Sequence, residues 1–136
     1  MREILFRGKV HEKLLEDQWV YGYYAIKGKG TGAENHVIYQ STFDLGYRFY
    51  YFADCRVKAD TVGQYTGQKD INGTPIFEGD IVRVVSSDEI AVVKWDEIES
   101  RFYFDTDEYG ICIISEAEVL GNVYDNPELL GGADNA

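Results

Sequence analysis

The chain has 136 residues, 45% of them apolar and 27% charged, with 14 Gly, 2 Pro, 2 Cys and a formal net charge of −11. That length closes a single core and is too short for two large ones. No run nears the roughly 18 consecutive apolar residues of a membrane helix, the opening Met1-Arg2-Glu3-Ile4-Leu5-Phe6-Arg7 lacks an apolar signal core, and Cys55 and Cys112 stand alone, outside any zinc or disulfide spacing.

Aromatic residues mark the first elements. Trp19-Val20-Tyr21-Gly22-Tyr23-Tyr24-Ala25-Ile26 alternates, placing Trp19, Tyr21 and Tyr23 on one face of a strand and Val20, Tyr24 and Ile26 on the other. Gly28 to Gly32 reads as a flexible loop or hairpin tip, and His36 to Gln40 as the next strand. Phe43 to Ala53, interrupted by Gly46, fits either a strand or a short helix. Thr61 to Thr66 reads as a short strand, and Asn72-Gly73 as a tight reverse turn after Asp70. Gly79 turns the chain into the β-branched strand Ile81 to Val85, whose hairpin partner is Ile90 to Trp95. Arg101 to Phe104 and Tyr109 to Ile114 are strands joined by an acidic turn. Ser115-Glu116-Ala117-Glu118 has the form of a helix-start capping box, limited to one turn by Gly121. Asn126-Pro127-Glu128-Leu129-Leu130 reads as another helical turn, with Asn as cap and Pro in the first position.

Short strands separated by turn residues predict a mainly β fold of antiparallel strands with one or two helical turns. The expected organisation is a single domain over 1–136. It comprises an N-terminal β-rich part over 1–60, an SH3-like barrel core over 61–130, and a frayed tail over 131–136.

Four blocks carry a family resemblance. They are Met1-Arg2-Glu3-Ile4-Leu5-Phe6-Arg7-Gly8-Lys9, then Trp19-Val20-Tyr21-Gly22, then Thr61-Val62-Gly63-Gln64-Tyr65-Thr66-Gly67 with Asp70, Asn72-Gly73, Ile76 and Glu78-Gly79-Asp80-Ile81-Val82, and finally Gly121 to Leu130. Together they resemble the YopX family of phage and prophage proteins. Residues 27–60 carry no family motif, and Gln68 stands where Leu is more frequent. The resemblance implies a β-rich fold and a phage origin, and since the family has no established activity it supplies no catalytic residues. Physically, the glycines of these blocks suit turns, while Asp70 and Asp80 suit local bonds to backbone N–H groups. A binding loop built on the same turn would use Gln64, Tyr65, Asp70 and Asn72.

Chemical motifs are sparse. Asp105-Thr-Asp107-Glu-Tyr109-Gly110-Ile-Cys-Ile-Ile-Ser-Glu116 matches a calcium loop at its first, third, sixth and twelfth positions, with Asp105, Asp107 and Glu116 as the oxygen ligands. The fifth position fails, because Tyr109 stands there, and the flanks read as strand, so an acidic hairpin turn is the expectation. His11 and His36 sit in no motif with Ser or Cys. Gly28 to Gly32 lacks the order of a phosphate loop. No cofactor and no catalytic residue is expected.

Charge divides the chain: residues 1–69 hold 10 basic and 8 acidic side chains, residues 70–136 only 3 basic against 16 acidic. Such a balance disfavours direct nucleic-acid binding, and lone thiols fit the reducing cytoplasm of a host cell. The expected role is a non-catalytic accessory protein, binding another protein or a second copy of itself through exposed Tyr and Trp. Two alternatives stand beside it: an acidic decoy that occupies the DNA site of a host protein, and an enzyme with an unrecognised site.

Overall fold

A computed structural model describes residues 5–11, 18–44 and 49–131. Its strands are β1 (Phe6–Lys9), β2 (Trp19–Lys27), β3 (Asn35–Asp44), β4 (Phe49–Arg56), β5 (Gly63–Lys69), β6 (Pro75–Phe77), β7 (Asp80–Val84), β8 (Glu89–Asp96), β9 (Arg101–Asp105), β10 (Gly110–Cys112) and β11 (Ala117–Asn122). A 3₁₀ turn covers Ala59–Thr61, and one short helix, α1, covers Glu128–Gly131. Contacts divide the chain into two compact units, Met1–Gln64 and Tyr65–Ala136.

The first unit is an antiparallel sheet in the order β4-β3-β2-β1, with Gly63 and Gln64 at the start of β5 on the far side of β1. The alternation of β2 turns out as its sequence reads. Val20 is buried and Tyr24 half-buried, while Tyr21 and Tyr23 are exposed on the opposite face. Val20 packs with Val10, Ile38 and Val57, and Phe6, Tyr24, Cys55 and Val62 close over them. Among the described residues the Phe43 to Ala53 stretch is strand on both flanks, as β3 and β4, and Gly46 lies outside them.

In the second unit the rest of β5 pairs with β6, and a five-stranded antiparallel sheet follows in the order β10-β9-β8-β7-β11. Its core holds Ile76, Val82, Val84, Ala91, Val93, Phe104 and Ala117. Five of these lie at alternate positions of β7, β8 and β9, as a sheet with one buried face requires, and Ile76 of β6 and Ala117 of β11 complete the cluster. The expected closed barrel does not form, because β10 and β11 end the strand order without pairing to each other.

Two local expectations are corrected and one turn is as expected. Thr61 belongs to the 3₁₀ turn, so the strand starts at Gly63. The tight reverse turn expected at Asn72-Gly73 forms. Asp70 N–H donates to the Thr74 carbonyl and Gly73 N–H to the Asp70 carbonyl, leaving a three-residue loop in which only Gly73 takes a positive φ, of 83°. The capping-box segment becomes strand β11, because Ala117 joins the core and Val119 pairs opposite Val82. Burial and ladder bonds outweigh the local helix signal there. The one helical turn that forms is the Asn126-Pro127 one, with Leu129 and Leu130 N–H groups donating to the carbonyls of Asn126 and Pro127. The expected frayed tail lies, apart from Gly131, outside the described residues.

Candidate functional site: one sealed and one open sheet edge

Each end strand of the five-stranded sheet has an outer row of backbone N–H and C=O groups, which must be bonded, hydrated or joined by another strand. The chain treats its two ends differently. On β11, Glu116 accepts from Val85 N–H on the β7 side, so by alternation Ala117 and Val119 turn their backbone groups outward. The β5–β6 loop bonds one group of each: Ile71 N–H donates to the Ala117 carbonyl at 3.0 Å, and Val119 N–H donates to Asp70 Oδ2 at 2.9 Å.

Asp70 is the centre of that seal. Its Oδ1 accepts from the N–H groups of Asn72 and Thr74, both at 2.8 Å, while Oδ2 reaches β11. Burial alone would raise its carboxyl pKa. The bonds from Val119, Thr74 and Asn72 outweigh that and hold it below the ordinary aspartate range.

Of the residues expected to form a binding loop, Tyr65 is instead buried, its ring 5.5 Å from that of Phe77. Asp70 is buried by its own hydrogen bonds, Asn72 is exposed, and Gln64 belongs to the first unit. The local bonding expected of Asp80 forms as well, with Phe77 N–H donating to Oδ2 at 2.8 Å.

The β10 end is open. In the turn before it, Thr106 N–H donates to the Tyr109 carbonyl, and Thr106 Oγ1 both donates to that carbonyl and accepts from Tyr109 N–H. Alternation from this pair turns Ile111 toward Phe104 of β9, and Gly110 and Cys112 outward. The Cys112 carbonyl is taken by Ser115 N–H, which leaves the N–H and C=O of Gly110 and the N–H of Cys112 along the edge. Gly110 is covered on one face by Tyr103. A Cβ at position 110 would lie 3.0 Å from the Tyr103 ring.

Beside this edge runs a cleft of about 570 Å³, lined by β9, the acidic turn and β10, a volume within the usual range of ligand clefts. Its charged residues are Asp96, Asp105, Asp107, Glu108 and Arg101. Asp105 is neutralised by Lys94 Nζ at 2.8 Å, and that bond raises the lysine pKa. Asp96 stands opposite Arg101 in the β8–β9 register. Asp107 and Glu108 are exposed, and no cation among the described residues pairs with either. The Tyr109 hydroxyl donates to Glu89, a bond that raises the phenol pKa.

The calcium reading therefore resolves into an acidic hairpin turn. Gly110 lies opposite Asp105, and Glu116 is carried beyond β10 to the start of β11. Among the described residues no three His, Cys, Asp or Glu side chains are grouped to hold a metal ion. Sequence reasoning placed Asp105 and Asp107 in an acidic turn and missed the edge beside them. Its one legible signal was a glycine directly after an acidic turn in a strand pair.

The fold and cleft define a class: a two-sheet, mainly β protein with one end of its five-stranded sheet bonded to its own loop and a cleft beside the other. The family described as YopX protein matches residues 6–131, so the chain belongs to the YopX family. The crystal structure of protein EF1440 from Enterococcus faecalis has a similar fold, with a TM-score of 0.61 at 19% identity over 96% of this chain and 99% of that one. No curated protein sequence matches the chain. Among the described residues no helix is long and apolar enough to cross a membrane.

Proposed function

We propose that this YopX-family chain is a non-catalytic, phage-derived accessory module that captures a protein partner along the β10 edge. The supporting observation is the asymmetry of the sheet. The chain commits the buried Asp70 carboxylate to close the β11 edge, yet leaves Gly110 and Cys112 facing outward beside a cleft. Natural sheets blunt their edges against unwanted pairing, and strand addition to a free edge is a recurrent mode of peptide recognition.

The test selects short extended peptides from a displayed library against the intact chain and compares binding to the wild type with binding to Cys112→Pro. Proline removes only the outward N–H of an edge residue, a position where it is tolerated. Loss of binding in Cys112→Pro with retention in Cys112→Ala supports the reading; equal binding to both variants overturns it.

A second reading, self-association, is favoured by a separate surface. In the first unit Tyr21 and Tyr23 are 46% and 59% exposed, and the Arg7 guanidinium lies 4.7 Å from the centre of the Trp19 ring on the same face of β2. Exposed tyrosines provide apolar contact area with a polar tip. Light scattering of the wild type and a Tyr21→Ser/Tyr23→Ser variant tests it. A wild type that is monomeric at high micromolar concentration removes this reading and leaves the β10 reading intact.

A further inference from the structure

The β10 reading leaves the partner's chemistry open, and the cleft narrows it. Resting on that reading, we infer that the β10 edge takes an extended segment carrying lysine or arginine at alternate positions. β10, the strand such a segment would join, spans three residues, about 10 Å at about 3.4 Å per residue, so its edge bonds a short stretch of the segment.

Three features set what such a segment must offer. The outward N–H and C=O of Gly110, with the N–H of Cys112, fix its backbone by a short ladder. The Tyr103 ring over Gly110 supplies a surface for the aliphatic stem of one of the basic side chains. Asp107 and Glu108, at the turn end of the cleft, supply carboxylates with which no cation among the described residues pairs. Alternate residues of an added strand share a face, so one face meets the tyrosine and carboxylates while the other stays outside. A second copy of this chain is a poor occupant. Its own β10 edge presents the same carboxylates, and each copy carries −11.

The experiment titrates the full chain with synthetic extended peptides of about seven residues, alternating valine and lysine, and with the counterpart that has glutamine for lysine. At low salt the lysine peptide binds about tenfold tighter, the sum of two exposed charge pairs of ordinary strength. The difference disappears in Asp107→Asn/Glu108→Gln and shrinks as salt rises. Methylating alternate backbone nitrogens of the lysine peptide abolishes binding in one register and spares it in the other, a readout that needs no protein variant.

Equal binding of the lysine and glutamine peptides to the wild type overturns the charge assignment while the edge reading survives. Binding indifferent to methylation in both registers, or no binding of either peptide, overturns the edge reading and the inference with it.

Discussion

Asp70 shows how much one side chain carries. It accepts three backbone hydrogen bonds from a single loop and a distant strand: Asn72 and Thr74 N–H on one oxygen, Val119 N–H on the other. Asp70→Ala should cost about 3 kcal/mol, the order expected when N–H groups lose a charged acceptor, and thermal or urea unfolding measures it. Because the folded carboxyl pKa is lowered, the stabilisation is complete above the unfolded value of about 3.9 and is lost as pH falls through the lower folded value. Asp70→Asn should remove that part of the acid dependence, visible as a flatter stability curve below about pH 4. Gly121 is the complementary case. A Cβ there would lie 2.4 Å from Asn126 Oδ1, which accepts from Asn122 N–H. Gly121→Ala should cost about 1–3 kcal/mol as an overpacking change. Combining it with Asn126→Ala should cost less than the two single changes together, and an additive double-mutant cycle would refute the clash. In the first unit, Tyr24 donates to His36 Nδ1, or accepts from it, at 2.6 Å, and burial raises its phenol pKa. Tyr24→Phe should cost about 1 kcal/mol.

At the scale of elements, strands with clean alternation were legible from sequence and those set by distant partners were not. β2, β7, β8 and β9 carry their own hydrophobic period, and the structure places them where that period does. The segment from Ser115 to Glu118 has every local mark of a helix start. It becomes β11 because Asp70 and Ile71, nearly fifty residues earlier, bond its outer edge while Ala117 enters the core. No local reading recovers such a partner. The calcium-like spacing failed for a related reason, since β10 stretches Glu116 away from Asp105. The alternation of β10 itself yields a paired prediction. Ile111→Pro removes an N–H directed into the sheet and should destabilise by about 2 kcal/mol beyond Ile111→Ala. Cys112→Pro, one residue on, should stay within about 0.5 kcal/mol of Cys112→Ala. Equal losses at both positions, measured by chemical unfolding, would contradict the outward assignment of Cys112.

At the scale of the whole molecule, the charge of −11 is less informative than its distribution. In the acidic half, Asp70 and Asp80 are buried as backbone acceptors, Asp88 and Glu118 share Arg83, and Asp105 is held by Lys94. Five of the 16 acidic side chains of that half are thus held within the fold, and Asp107 and Glu108 lie exposed beside the open edge. This concentrates attention on one surface where composition alone suggested a whole acidic half. The claim that this edge receives a strand is tested most directly by amide hydrogen exchange of the intact chain, read residue by residue with and without the lysine-bearing peptide. The account predicts that the Gly110 and Cys112 amides, exchanging freely alone, become protected on binding while Ile111, already directed toward Phe104, changes little. Unchanged exchange at Gly110 and Cys112 with the peptide bound would contradict it.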